Sequence, residues 1–353
     1  MRGLIILLGI MLLLSSCDNV TKEGKVADGN KYSHNFGIEE TADGFNITAC
    51  GNSKVIHLSR EKSDSSITIP IRSAVCFSTT YSAFISQLGE MSTISGISGT
   101  KYVCDSSVAA LIEDGKIAEI GYDRQLDMER IIALKPDVVF AYGVDNEAMS
   151  AFQKLEKIGI CVVVVDDYTE SKPLGRTEWI KFFGCFYDKL EYATHYFDSV
   201  ENRYLEIKNE EKTANPKVLV SLPWKGTWWV PGGDSFFANF VKDAGGRYVF
   251  DNDETESMPY SIEQVFAQAS QAEIWLHPNE KTKREQILDV DSRLANFEPY
   301  STARIYNNNK VCSSYGGSDF WESGIVHPDI ILRDLHNIFS GNDENLHYYL
   351  KLD

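Results

Sequence analysis

The spacing of apolar residues along 172–213 is the longest regular pattern in the chain. Apolar side chains recur at every third or fourth position, which is typical of an amphipathic helix. Pro173 suits the first turn of such a helix, and Pro216 marks where helical structure must end. The apolar face is rich in aromatic residues and lacks the Leu, Ile and Val seam of a coiled coil. At ~1.5 Å per residue this helix is long enough to join two globular halves, and we expect it to do so.

Short apolar runs alternate with amphipathic segments on both sides of this helix. Residues 71–171 contain runs such as 137–142 (DVVFAY), and residues 214–345 contain runs such as 217–224 (KVLVSLPW). Strands that alternate with helices are typical of a parallel sheet covered on both faces. The pattern predicts an α/β fold with two doubly wound, Rossmann-like lobes joined by one long α-helix. Residues 31–70 alternate more weakly between turn signals and predict a β-hairpin segment before the first lobe.

The first thirty residues predict export and anchoring. A basic start is followed by an apolar run, 4–14, and by Leu14-Ser15-Ser16-Cys17, the form of a secretory signal. About eleven apolar residues are too few to span a bilayer. The sequence LSSC resembles the bacterial lipobox, so residues 1–17 are predicted to be a lipoprotein signal peptide with Cys17 lipidated. The polar residues 18–30 read as a tether.

Composition narrows the classes of function. A length of 353 residues suits two domains, and 43% hydrophobic residues is ordinary for a globular protein. A formal net charge of −17 argues against nucleic acid as a partner. No C-x-x-C motif occurs, so neither a redox motif nor a zinc ribbon is supported, and the pairing of the remaining cysteines stays open. Those cysteines are Cys50, Cys76, Cys104, Cys161, Cys185 and Cys312.

Signatures of catalysis and of metal binding do not stand out. The sequence contains no G-x-G-x-x-G, no G-x-x-x-x-G-K-[ST] and no G-x-S-x-G motif. The histidines are scattered and include no H-x-H or H-E-x-x-H pair, so no metal site and no cofactor are predicted. His277 follows the predicted strand 274–276, at an edge where open α/β sheets bind ligands, although a structural role is the simpler interpretation.

Aromatic residues are the positive signal for a binding site. Several of them end predicted strands or lie in the loops that follow, where a cleft between two lobes would be lined. Broad, flat side chains in a cleft suit a large and partly apolar ligand. The candidate ligand-binding aromatics are Tyr142, Trp224, Trp228, Tyr260, Tyr315 and Trp321.

Three segments resemble a known family. They are 126–142 (LDMERIIALKPDVVFAY), 260–276 (YSIEQVFAQASQAEIWL) and 229–236 (WVPGGDSF), the last leading into a helix that ends in Gly-Gly. Together with the lipobox and the long helix, they resemble the helical-backbone (class III) substrate-binding proteins of ABC importers, which bind ferric siderophores, haem or vitamin B12. The resemblance covers 71–339.

The resemblance implies a binding protein without catalysis, with its ligand held between the lobes. It implies basic residues near an anionic chelate, for which the candidates are Arg124, Lys101 and Lys225. In a haem binder, Tyr142 or His277 would be the place to look for an iron ligand. The family also docks on its permease through one glutamate per lobe. The matching positions are Glu129 and Glu263, with Ile131, Ile132, Val265 and Phe266 expected to face the core.

The sequence therefore predicts a lipoprotein that delivers an iron chelate, either a ferric siderophore or haem, to an ABC permease and its ATPase. Vitamin B12 (cobalamin) is the alternative ligand, and a lipid-anchored hydrolase is a less favoured alternative function. The expected location is the periplasm, with lipid attachment to the inner membrane, since Asp18 resembles an inner-membrane retention signal.

Overall fold

The computed structural model describes residues 29–49, 54–122, 125–142 and 146–353. The predicted signal peptide, Cys17 and most of the tether lie outside these ranges, as does Arg124. Across the ranges that are described, the helices are too short or too polar to cross a membrane.

The N-terminal segment forms a small sheet. Its strands are β1 (Phe36–Glu40), β2 (Gly44–Ala49), β3 (Lys54–Ser59) and β4 (Ile67–Thr68). β1, β2 and β3 pair antiparallel in chain order, and β4 joins β3 in parallel. The predicted hairpin is thus part of a larger sheet.

The N-terminal lobe is a parallel sheet with helices packed around it. Its central strand β5 and neighbour β10 are wholly buried, which explains their unbroken apolar sequence. The strand order is β11-β10-β5-β6-β7, and all pairs are parallel. In chain order the elements are β5 (Ala74–Cys76), α1 (Thr79–Gln87), β6 (Ile94–Ile97), α2 (Ser106–Glu113), β7 (Ala118–Glu119), β8 (Gly121–Tyr122), β9 (Gln125–Leu126), α3 (Met128–Leu134), β10 (Val138–Ala141), α4 (Asn146–Lys157) and β11 (Val162–Val164).

The segment predicted as one long helix consists of two helices, α5 (Pro173–Phe186) and α6 (Leu190–Lys208). Between them Asp188 adopts a left-handed conformation with φ 53°, and the chain turns back. The Lys181 ammonium lies 4.5 Å from the ring centroid of Phe197, although sixteen positions separate them, so α6 packs along α5. The apolar spacing stays in phase through this turn, which is why periodicity alone reads as a single helix. The connection between the lobes is therefore α6, about 28 Å long.

The C-terminal lobe repeats the architecture of the first. Its strand order is β14-β12-β16-β17-β18, parallel except for the edge strand β18, while β13 and β15 form a separate antiparallel ribbon. The two-lobed α/β fold predicted from the sequence is confirmed. The elements are β12 (Lys217–Val220), β13 (Trp228–Val230), α7 (Phe236–Asp243), β14 (Arg247–Tyr248), β15 (Met258–Tyr260), α8 (Ile262–Ala269), β16 (Ile274–Leu276), α9 (Glu298–Ser301), β17 (Ile305–Asn307), α10 (Ser323–Val326), α11 (Pro328–Ser340) and β18 (Leu350–Lys351).

A buried carboxylate on α5 fastens the segment before β1 to the rest of the protein. Glu178 on α5 accepts hydrogen bonds from the backbone amides of Lys31, Tyr32 and Ser33, at 2.8–3.1 Å. It also accepts one from the buried Lys181 ammonium at 2.7 Å. Because the amides and the ammonium surround one carboxylate, groups of the protein itself compensate its negative charge.

Candidate ligand-binding site

A cavity of about 940 Å³ lies between the two lobes. Its wall includes residues that directly follow parallel strands in each lobe: Phe77, Ser98 and Tyr142 in the N-terminal lobe, and Ser221, His277 and Asn308 in the C-terminal lobe. Ligands of open α/β sheets bind outside the carboxyl ends of the strands. The cavity has the position expected of a binding site.

The N-terminal wall is rich in phenols and hydroxyls. Tyr102, Tyr122 and Tyr142 line it, and the rings of Tyr102 and Tyr122 lie with their centroids 5.0 Å apart. Ser78 and Thr79, at the start of α1, add hydroxyl groups. Flat rings and neutral donors on one wall can hold a conjugated or chelating organic molecule.

The C-terminal wall is built on a turn, 277–282, that follows β16. His277 and Asn279 take left-handed backbone conformations, with φ 57° and 50°. The side-chain amide of the buried Asn307 donates to the carbonyl oxygens of Asn279, at 2.6 Å, and of Lys281, at 2.7 Å. Such strained conformations persist only where surrounding bonds fix them, and they cluster at binding sites.

His277 has an unusual environment within this wall. Its Nε2 lies 2.6 Å from the hydroxyl of Tyr349, while its buried Nδ1 has no hydrogen-bond partner among the described residues. Burial lowers the pKa of His277 to about 3, so the imidazole is neutral at physiological pH. The ring packs edge-on against Phe237, with centroids 4.5 Å apart, and Phe237 itself lines the cavity.

One edge of the cavity is closed by contacts between the lobes, which we call the seam. The seam joins 99–105 of the N-terminal lobe to 311–323 of the C-terminal lobe. Glu322 accepts hydrogen bonds from the backbone amides of Cys104, at 2.7 Å, and of Asp105, at 2.9 Å. Ser313 Oγ donates to the carbonyl of Lys101 at 2.9 Å, in the same seam. These bonds hold the two lobes together beside the site.

The seam also contains the group of side chains nearest to a metal-binding arrangement in the described chain. The thiol of Cys104 and the carboxylates of Asp319 and Glu322 offer atoms that lie within 4.8 Å of one another. Each group already has a protein partner: Cys104 Sγ donates to the carbonyl of Gly317 at 3.1 Å, and Asp319 accepts from Ser323 at 2.7 Å. The arrangement is a hydrogen-bonded contact between lobes.

Of the aromatic residues predicted to bind ligand, Tyr142 and Trp321 line the cavity. Tyr315 is 68% exposed, on the loop whose neighbours Ser314 and Gly316 line it. Arg124 lies outside the described residues.

The structure places three predicted aromatics outside the cavity wall. Trp228 is fully buried and stacks on Trp275, because it points inward from β13 while its neighbour points outward. Trp224 is 60% exposed under the ammonium of Lys225, which lies 4.3 Å from its ring. Tyr260 packs half-buried against Phe250, with ring centroids 5.2 Å apart. A strand end alone does not tell which way a side chain turns.

Sequence reasoning missed other lining residues. Tyr102 and Phe237 come from a loop and from the first turn of α7, and the polar residues of 308–318 come from a loop that crosses to the other lobe. Their position depends on how the lobes meet. The Gly/Ser-rich composition of 313–318 marks this loop, but it does not tell which of the polar residues line the cavity.

The two candidate docking glutamates occupy matching places. Glu129 lies exposed in the first turn of α3, after the ribbon β8–β9, and Glu263 lies exposed in the first turn of α8, after the ribbon β13–β15. Glu263 forms an ion pair with Arg293, and a backbone hydrogen bond, followed by the hydrogen bond from Arg293, lowers the pKa of the glutamate. The helix start itself also favours an acidic residue.

Two neighbours expected in the core are exposed instead. Ile132 beside Glu129 is 42% exposed, and Phe266 beside Glu263 is 38% exposed, whereas Ile131 and Val265 are buried as expected. Consecutive helical positions are 100° apart, so both members of each pair cannot face one core.

Comparison with known proteins identifies the family. A family model described as periplasmic binding protein matches residues 75–308. This chain therefore belongs to the periplasmic binding protein family, a class of substrate-binding proteins of ABC transporters. An uncharacterized lipoprotein of Methanocaldococcus jannaschii is 30% identical over 250 residues, which make up 68% of this chain and 57% of that relative. The chain thus spans less than two thirds of that relative's length.

Solved structures share the fold. A possible iron-binding, periplasmic solute-binding protein of Staphylococcus epidermidis gives a TM-score of 0.59 at 19% identity, covering 76% of this chain and 98% of that chain. A periplasmic haem-binding protein of Pseudomonas aeruginosa gives a TM-score of 0.61 at 17% identity, covering 80% of this chain and 98% of that chain. At these identities the likeness establishes the fold alone.

Proposed function

We propose that this chain captures an iron chelate, either a ferric siderophore or haem, between its lobes and delivers it to an ABC permease. The cavity between the lobes carries the proposal. At about 940 Å³ it is near the upper end of small-molecule sites, which measure roughly 300–1,000 Å³. Its size suits an organic chelate better than a bare metal ion.

The chemistry of the walls supports the same ligand class. Tyr102, Tyr122, Tyr142 and Trp321 supply flat faces for a conjugated ligand, and their hydroxyl and indole groups can donate hydrogen bonds to its oxygens. The same aromatic lining favours vitamin B12 as the second candidate, because a corrin also presents a broad, partly apolar face.

Docking would use one glutamate on each lobe. Glu129 and Glu263 lie at matching positions beside exposed apolar side chains, and each could meet an arginine of the permease. The pair with Arg293 would then open or be shared when Glu263 docks. An apolar notch of about 210 Å³, lined by Ile262, Phe266 and Arg293, adjoins that glutamate.

Anchoring would use a lipid on Cys17. The curated relative from Methanocaldococcus jannaschii is named a lipoprotein, and the sequence predicts a signal peptide with a lipobox over residues 1–17. Stable attachment requires two or more acyl chains, since one chain binds a bilayer only marginally. The protein would then work outside the cytoplasm, on the inner membrane next to its permease.

The proposal is tested by titrating the purified full-length protein with a ferric trihydroxamate, haemin and cyanocobalamin while tryptophan fluorescence is recorded. We expect saturable quenching with one ligand per protein for an iron chelate, because Trp321 lies in the cavity wall. Binding of cyanocobalamin alone would establish the second candidate. Release of a hydrolysed product from any of the three would indicate an enzyme instead.

A further inference from the structure

The imidazole of His277 has one engaged nitrogen and one free nitrogen. Tyr349 is fully buried, and its phenol stays protonated because burial raises its pKa well above the ordinary value. Among the residues that the structure describes, His277 Nε2 is the hydrogen-bond partner of that hydroxyl, at 2.6 Å. The phenol proton has no other acceptor among the described residues, which favours donation to Nε2. In a neutral imidazole the other nitrogen then carries the proton, so Nδ1 is an N–H donor.

A buried donor without an acceptor is costly, and native proteins rarely keep one. His277 keeps one in the wall of the cavity, on a turn that Asn307 fixes from behind. Its left-handed backbone adds strain at the same residue. Strain and an unsatisfied donor at one cavity residue indicate a group held ready for a ligand.

We propose that His277 determines ligand specificity by donating its Nδ1–H to an oxygen acceptor of the bound ligand, such as a hydroxamate, amide or carboxylate oxygen. This inference rests on the proposed function of the same cavity. Tyr349 is the positioning residue, because its hydroxyl decides which nitrogen carries the proton. Phe237 packs edge-on against the imidazole, is only half-buried and itself lines the cavity.

The same hydrogen-bond network argues against His277 as an iron ligand. A protonated nitrogen has no lone pair to give to a metal, and the other nitrogen is occupied by Tyr349. Coordination would need the proton to move and the bond to the phenol to break. The contact assigned here is thus to the organic part of a chelate.

The first test requires no large ligand. Nitrogen-15 spectra of histidine-labelled full-length protein, with His277→Asn used for assignment, report which ring nitrogen is protonated. We expect Nδ1–H and an unprotonated Nε2 from pH 5 to 8, because the pKa lies far below this range. Acetohydroxamic acid, a small oxygen acceptor, should shift the Nδ1–H resonance. A proton on Nε2, or an Nδ1–H resonance unmoved up to the solubility limit of the probe, overturns the proposal.

The second test uses paired variants with the ferric trihydroxamate and haemin. His277→Asn keeps an N–H near the position of Nδ1, whereas His277→Gln places one near Nε2. We expect the Gln variant to lose roughly three- to tenfold in affinity and the Asn variant to stay near wild type. With haemin, the Soret band should be the same in both variants. Equal losses of affinity in the two variants would contradict the assignment of the proton to Nδ1. A shift of the Soret band that occurs only with His277→Gln would contradict it as well.

Failure of the proposed ligand class and failure of the role assigned to His277 give different results. If neither probe binds the wild-type protein, the ligand class in the proposed function is at fault, and the acetohydroxamic acid titration still decides the role of His277. Tyr349→Phe should leave the protein folded and yield a mixture of imidazole tautomers. A single unchanged tautomer in that variant removes the positioning role of Tyr349.

Discussion

Glu322 of the C-terminal lobe accepts a hydrogen bond from the backbone amide of Cys104 in the N-terminal lobe at 2.7 Å, and the residue is only 1% exposed. Burial raises the pKa of Glu322 to about 7, because the amide bonds offset only part of the desolvation and Asp319 and Asp105 lie nearby. The seam between the lobes therefore contains a carboxylate that titrates near neutral pH.

This relationship predicts a pH-dependent stability. Since the folded pKa lies above the ordinary value of 4.5, the contribution of Glu322 is fully present below pH 4.5 and is lost as the pH rises through 7. The shift corresponds to a loss on the order of 3 kcal/mol. Glu322→Gln, which mimics the protonated acid, should melt near the wild-type temperature at pH 5 and several degrees higher at pH 8.

Differential scanning calorimetry of both proteins between pH 5 and pH 8 provides the measurement. Asp167, whose pKa burial also raises to about 7, is present in both and cancels in the difference. A difference in melting temperature that does not change with pH would mean that Glu322 is ionised throughout.

Trp321 provides a second prediction, about affinity. It lines the cavity and lies 5.5 Å from the ring of Phe237, so Trp321→Ala removes a large contact with the ligand. We expect binding of the iron chelate to weaken by about 1–3 kcal/mol, as measured by isothermal titration. Trp224→Ala is the matched control, because this side chain is exposed outside the cavity wall. A larger loss from Trp224→Ala would place the ligand elsewhere.

Charge reversal at the docking positions provides a third prediction. The double variant Glu129→Lys, Glu263→Lys should bind the chelate normally, since neither residue lines the cavity, but uptake in cells that carry the permease should nearly cease. The single variants should slow uptake. Because Glu263 is exposed, loss of its pair with Arg293 should leave the stability nearly unchanged.

The control for docking is Glu113→Lys, Glu285→Lys, which reverses the same number of exposed charges elsewhere. It should transport at the normal rate. Normal uptake by the folded docking variant would remove Glu129 and Glu263 from the interface with the permease.

The contact of Glu178 with the N-terminal segment provides a fourth prediction. Glu178→Ala leaves the buried Lys181 ammonium without its carboxylate and frees the amides of residues 31–33, so we expect a loss of roughly 3–5 kcal/mol. Urea denaturation followed by circular dichroism measures it. Glu191→Ala, at an exposed position on α6, should change stability by less than about 0.5 kcal/mol. Similar losses of unfolding free energy in the two variants would show that the buried contact of Glu178 is not needed for stability.

Local patterns in the sequence were sufficient for the layers of the fold. Buried strands such as β10 read as continuous apolar runs, and the helices around them keep a period of 3.6 residues. The apolar pattern predicts one continuous helix across Asp188, because the apolar positions on either side of the turn remain in phase. The turn is made by the left-handed backbone conformation of Asp188, and the apolar pattern does not reveal it.

The cavity was predicted less completely than the fold. Tyr142 could be placed because it directly follows a strand, and Trp321 because it lies in a loop rich in small residues. Trp228 could not be placed from the sequence, since a shift of one residue along a strand decides whether a side chain faces the core. The unsatisfied nitrogen of His277 depends on a contact with Tyr349, 72 residues away, and only the tertiary structure reveals it.

Hydrogen–deuterium exchange of the full-length protein, with and without a bound iron chelate, tests most directly whether ligand binds between the lobes. Protection should appear at the same time in 98–102 and 142 of one lobe and in 277–282 and 308–318 of the other, because these segments line one cavity. A second cavity, of about 500 Å³, lies between the N-terminal sheet and the first lobe and includes His57 and Asp137. Protection confined to that cavity, or to one lobe alone, would contradict binding between the lobes.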